Sequence, residues 1–247
     1  LGSVSTHLKL NDPLSLDGTI LATGAGNLTL FETLSLSNSA ALNSTGGTIT
    51  LNSGGSASSG TTISIPNTTL VLQNDLSLTG GTLKTKNTTF TTNSNALSLS
   101  ESSILEVEGV QDLSGVFPDS TSTLRLTADA SINDSAALSV GTLDLSDFAL
   151  TLNDQMAGLS IAQPVTLDAA GEKILTGAAD LSLNGGISAT AGILSSTGGT
   201  LSLPIGATLA SGASFSTSNT TLNLGGSLSV ANTWTSTNTS ILLTDNA

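Results

Sequence analysis

Cysteine and tyrosine are both absent from the 247 residues, and Trp, Met and His occur once each. Without cysteine there are no disulfide staples, no thiolate metal sites and no thiol nucleophile. Basic residues are nearly as scarce, with 5 Lys and Arg against 18 Asp and Glu for a formal charge of −13. Nucleic acids and anionic membrane surfaces are held through Lys and Arg, so neither is an expected partner. No apolar run approaches the 18 or so residues that cross a bilayer as a helix, and membrane insertion of this segment is not expected. Charged residues make up 9%, far below the usual quarter or so. Disorder combines low hydrophobicity with high charge, whereas here low charge accompanies a regular apolar period. P-loop, GxGxxG and HExxH motifs are missing. The opening Leu1-Gly2, without a basic and an apolar leader region, reads as a processed product or an excised piece.

What the chain does contain is a repeat. Leu14-Ser15-Leu16, Leu34-Ser35-Leu36, Leu76-Ser77-Leu78, Leu97-Ser98-Leu99, Leu138-Ser139-Val140, Leu159-Ser160-Ile161, Leu181-Ser182-Leu183, Leu201-Ser202-Leu203 and Leu222-Asn223-Leu224 form one column, which Leu242 extends. Only the rungs near Gly55 and Phe117 lack the triplet. A second column runs Leu21, Leu42, Ile63, Leu83, Ile104, Leu124, Leu145, Val165, Ile187, Leu209 and Leu228. A third runs Leu28, Ile49, Leu70, Phe90, Val110, Ile132, Leu152, Ile174, Leu194, Phe215 and Trp234. Each returns every 20–22 residues, which is the signature of a solenoid. Alternation along a strand turns the leucines of Leu-Ser-Leu inward and the serine outward.

The expected fold is therefore all-β: a single-stranded parallel β-helix with three short strands per coil, about 12 coils, running as one continuous β-solenoid over residues 1–247. Corners such as Thr45-Gly46-Gly47-Thr48, Gly185-Gly186 and Asn67-Thr68-Thr69 carry turn chemistry, because Gly and Asn accept positive φ. Residues 52–60, rich in Gly and Ser, replace a triplet and are expected to bulge outward. In residues 101–119, Val110, Leu113, Val116 and Phe117 compete for the core. A Greek-key sandwich also has short, evenly spaced strands, but it does not require three columns to hold one period.

The outward positions supply the functional candidates. Ser77, Ser98, Ser139, Ser160, Ser182 and Ser202 predict a polar stripe that could dock a glycan or another solenoid, although the aromatic platforms usual for sugars are missing. Lys84, Glu106, Arg125 and Asp144 alternate in sign from rung to rung, which stabilises neighbouring strands and fixes register. Asp112, Asp134 and Asp154 follow the third column at repeated corners. Stacked closely, they would offer oxygen ligands to Ca²⁺; fanned outward, each closes its own turn. No cofactor and no other metal site is expected. The single histidine, His7, lies at the N-terminal edge, the one place where a Ser-His-Asp triad is conceivable. Partial threonine rows (Thr29 and Thr50, Thr89 and Thr91) and seven Asn-x-Ser/Thr sequons, at Asn27, Asn43, Asn67, Asn87, Asn133, Asn219 and Asn238, complete the surface.

The Leu-Ser-Leu, Thr-Gly-Gly-Thr-Leu and Asn-Thr-Thr-Leu runs in a cysteine-free, Ser/Thr/Asn-rich chain resemble the β-helical repeat regions of large bacterial surface proteins. These are the autotransporter passengers and the filamentous-haemagglutinin-like adhesins of two-partner secretion. The resemblance implies a right-handed coil, export to the bacterial cell surface, and a non-catalytic role as a structural or adhesive rod facing a host or neighbouring cell. An acidic-glycan-cleaving β-helix is the alternative, with Asp112, Asp134 and Asp154 joined by Glu108 and Asp129 as the available carboxylates. A filament subunit associating end to end or side by side is the third.

Overall fold

The computed structural model describes residues 6–134, 137–154 and 156–244. All regular structure among them is β, and every register given for paired strands is parallel; the strands stack as a β-solenoid of about 11 turns. The chain divides into two compact units, Leu1–Leu124 and Arg125–Ala247.

In the N-terminal unit each coil contributes a strand to three stacks. One stack joins His7–Leu10, Asn27–Leu30, Thr48–Leu51, Thr69–Leu72 and Thr89–Thr91. Another carries the Leu-Ser-Leu triplets from Leu14–Asp17 to Val116–Pro118, and a third runs from Ile20–Gly24 to Ile104–Asp112. Strands this short cannot bury an apolar face alone. Stacked in register, they join their backbone groups into ladders and put Leu28, Ile49 and Leu70 in a dry column, at 0–1% exposure. Burying one such side chain contributes roughly 1.5–3 kcal/mol.

The C-terminal unit repeats the scheme. Triplets from Ala137–Val140 to Ser240–Leu243 form one stack, and four strands from Val165–Leu167 to Leu228–Val230 form the second. The third joins Thr123–Asn133 through Ala149–Leu152, Lys173–Thr176, Ile193–Ser196 and Ser214–Ser218 to Trp234–Thr237. At its far end Phe215 and Trp234 stack with ring centroids 5.4 Å apart.

The structure corrects the expected columns at several points. Residues 52–60 do not bulge: Gly55–Ala57 is a strand paired to both neighbouring triplets, with Ala57 buried. A Cβ at Gly55 would stand 2.4 Å from the Leu34 carbonyl oxygen, so glycine keeps this rung flat against the one below. Leu105, not Ile104, aligns with Leu83. Val110 is 59% exposed and Gln111 is fully buried beside it. Val116 packs inside while Phe117 points out, in register with Ser98. Ile241, rather than Leu242, continues the column of Leu222.

The third column also slips by two. Leu150 aligns with Ile174, Leu194, Phe215 and Trp234, while Leu152 aligns with Thr176, Ser196 and Thr217. The departures at Ile104, Val110 and Phe117 lie in or between two long strands, Ile104–Asp112 and Thr123–Asn133, of 9 and 11 residues. In the N-terminal unit the Asn-Thr-Thr corner precedes a third-column strand; in the C-terminal unit it precedes a triplet strand.

Candidate functional site

The outward faces are assembled from side chains that alternation turns away from the core. In the N-terminal unit Ser15, Ser35, Ser56, Ser77 and Ser98 stand in one register, which ends at Phe117. In the C-terminal unit Ser139, Ser160, Ser182, Ser202 and Asn223 form another, ending at Leu242. The six serines expected as one stripe are thus divided between two sheets. Side-chain hydrogen bonds tie part of the second set: Ser182 Oγ donates to Asn184 Oδ1 at 2.9 Å within its rung, and the Asn184 amide donates across rungs to Ser160 Oγ at 2.9 Å.

The charged row resolves into pairs within each unit. Lys84 Nζ lies 2.8 Å from Glu106, Lys86 pairs with Glu108, and Arg125 Nε donates to Asp144 at 2.9 Å. The pair of Lys86 and Glu108 was not among the expected charges, although both residues sit two positions beyond the first pair, on the same face. These pairs are partly exposed, and pairs of that kind contribute little.

Carboxylates with no basic partner among the described residues have a different task, since many receive a backbone N–H of the following coil. Asp75 accepts from Ala96 at 2.8 Å, Asp129 from Ala149 at 2.8 Å, Asp154 from Ala178 at 2.8 Å and Asp180 from Thr200 at 2.7 Å. Glu172, 8% exposed, accepts from Asp168 and Ala169 within its own turn. Asp112 accepts from the backbone and hydroxyl of Ser114, and Asp119 does the same with Thr121. Partial burial raises the Asp119 carboxyl, but the hydrogen bonds from Thr121 and Ser122 together outweigh it and leave the group below the ordinary carboxylate range. Asp144 is lowered against the same burial by Ser146 and Arg125.

Of the proposed calcium ligands, Asp112 and Asp154 are exposed and committed to backbone donors, and Asp134 is 3% exposed. Among the described residues no three His, Cys, Asp or Glu side chains gather to hold a metal ion. Glu108 and Asp129 are engaged by Lys86 and by the Ala149 amide. His7 Nε2 lies 2.8 Å from Thr29 Oγ1.

Inside the Asn-Thr-Thr corners, and the Asn238-Thr239-Ser240 corner that follows them, lies a feature that composition alone does not reveal. Asn67, Asn87, Asn219 and Asn238 all adopt φ of 48–53°. Their amides form ladders, Asn87 donating to Asn67 and Asn238 to Asn219, each at 3.2 Å. The threonine after each asparagine turns inward. Thr68 donates to Ser44 Oγ at 3.0 Å, Thr88 to the Ile65 carbonyl at 2.6 Å, and Thr88 N–H to Gln111 at 3.3 Å. Around the same kind of corner in the C-terminal unit, Thr220 Oγ1 lies 3.0 Å from Ser196 Oγ, and Thr239 and the Trp234 indole donate to Thr217. The signal for this polar seam was present as a repeated Thr two residues before an apolar strand position.

No protein-family model matches the sequence, and no curated protein and no solved structure shows a significant likeness to it.

Proposed function

We propose that this chain is an extracellular structural and adhesive element of a bacterial surface protein, with a non-catalytic outer surface. The observation that carries the reading is the use made of its carboxylates. Asp75, Asp129, Asp154 and Asp180 each hold the backbone of the next coil, and Glu106, Glu108 and Asp144 are matched by Lys or Arg. General acid–base chemistry needs carboxylates facing a substrate with tuned proton affinity, whereas these act as acceptors within the fold. The outward remainder is a repeated display of Ser, Thr and Asn, which favours many weak contacts over one reactive centre.

Labelled chain applied to epithelial and bacterial cells tests the reading. Saturable adhesion is expected, together with no new reducing ends or unsaturated products from a panel of acidic polysaccharides. Cleavage of any of them, or no saturable adhesion to either cell type, overturns it.

A further inference from the structure

In the third stack of the C-terminal unit the outward ladder reads Ser131, Thr151, Leu175, Ser195, Ser216, Thr235. Leu175 is the one apolar member of a hydroxylated row, and its surroundings are concave. A groove of about 370 Å³ runs past it at the corner that begins with Asn153 and Gly177, within the size range of small-ligand sites. Thr151, Asn153, Asp154, Ser195 and Thr197 complete its polar rim.

The rim is held in place from below. Asp154 Oδ1 accepts the Ala178 N–H at 2.8 Å, and a Cβ on Gly177 would fall 1.7 Å from that oxygen. Glycine at 177 is therefore what admits the carboxylate. Thr197 Oγ1 donates to the Thr176 carbonyl at 3.2 Å, and Ser195 Oγ accepts from Ser216 at 2.8 Å. The Thr151 hydroxyl and the Asn153 amide make no side-chain hydrogen bond among the described residues, so both are available.

We propose that this groove is a subsite for one neutral sugar unit of a glycan. A pyranose presents adjacent hydroxyls around a ring with apolar C–H edges. With Oδ1 given to the Ala178 N–H, the other carboxylate oxygen of Asp154 accepts from such hydroxyls in charge-assisted hydrogen bonds. The Asn153 amide both donates and accepts, and Leu175 lies against the C–H edge. No Lys or Arg lines the groove, and the chain carries −13, so sialic and uronic acids are excluded by charge. The inference deepens the adhesive reading and rests on it for the class of ligand.

Methyl glycosides of glucose, galactose, mannose and N-acetylglucosamine, titrated into methyl-labelled protein and followed by NMR, provide the test. At least one is expected to shift the Leu175 and Thr151 methyl resonances saturably, and Asp154→Asn to weaken that sugar about tenfold or more. Asp180→Asn is the control. Its carboxylate holds the Thr200 N–H as Asp154 holds that of Ala178, but it does not line the groove, so it is expected to leave the titration unchanged. The subsite is overturned if none of the four sugars moves those resonances, or if Asp154→Asn titrates like the parent. Sugar binding without cell adhesion overturns the adhesive reading and leaves the subsite standing; adhesion that Asp154→Asn leaves intact, with no sugar shift, does the reverse.

Discussion

Two kinds of corner in the solenoid contrast, and the contrast shows how a chain with few charges and no disulfides is fixed in register. At Asn67, Asn87, Asn219 and Asn238 the backbone enters the left-handed region with a side chain in place, and the neighbouring threonine carries hydrogen bonds into the interior. At Gly185, Gly225 and Gly226 there is no side chain, because the coil below already occupies its place. A Cβ at these glycines would meet the backbone of residues 163–164 or 204–206 at 2.1–2.4 Å. One corner is specified by hydrogen bonds that a substitution would break, the other by contact that a substitution would violate. Register at the first depends on chemistry, and at the second on volume.

Substitution separates the two. Gly185→Ala places a methyl 2.1 Å from the Gln163 carbonyl carbon, a rigid backbone neighbour, and is expected to destabilise the C-terminal unit by about 3 kcal/mol. Urea unfolding measures it, and a loss below about 1 kcal/mol shows that the glycine corner can give way. Thr88→Val keeps the volume but strands the Ile65 carbonyl and the Lys86 N–H, which are now partnered by Thr88 Oγ1 at 2.6 and 3.3 Å. A loss of about 1–3 kcal/mol is expected from the unpaired buried groups. Asn87→Ala is expected to lose about 1–2 kcal/mol through the left-handed backbone, and Asn87→Gly to recover most of that. Equal losses for both would place the contribution in the Asn67–Asn87 ladder instead.

Acid addresses the turns closed by carboxylates. Asp119 and Asp144 lie below their ordinary range when folded, so their stabilisation is complete above the unfolded value of about 4 and is lost as pH falls through the folded values. The urea midpoint is expected to drop on titration from neutrality into that acid range, and less steeply for Asp119→Asn with Asp144→Asn. Smallest of all is Lys84→Ala. Its partly exposed pair with Glu106 is expected to contribute about 0.2–1 kcal/mol at low salt and less at high salt.

Much of this architecture was legible in the sequence. The period of 20–22 residues, the inward leucines and the outward serines required only alternation and stacking, and they hold in register from Leu14 to Leu36 and from Leu159 to Leu183. Legibility failed where a pattern could be satisfied in two ways. Val110 and Gln111 are adjacent, and hydrophobicity favours Val110 as the inward residue. The structure buries Gln111 because its amide receives the Thr88 N–H and donates to the Glu108 carbonyl at 2.9 Å. Gly55 was read as loop for want of a leucine, although its lack of a side chain is what lets the rung lie on Leu34. The serine stripe was drawn as one because the triplets look alike in the sequence, although Ser77 and Ser98 stand in one sheet and Ser139, Ser160, Ser182 and Ser202 in another. Candidate carboxylates were visible as residues but not as acceptors, because the backbone donors they serve lie 20–24 residues further along.

That last arrangement bears on how the molecule comes to be built. Asp75, Asp129, Asp154 and Asp180 belong to an earlier coil than the amides they receive. A chain laid down from its amino end therefore finds a fixed anchor waiting at the growing edge before the newest segment arrives. Propagation in such a solenoid needs only the nearest completed neighbour. Assembly can then proceed as quickly as polypeptide is delivered, one circuit at a time, with no partner from a distant part of the sequence to wait for.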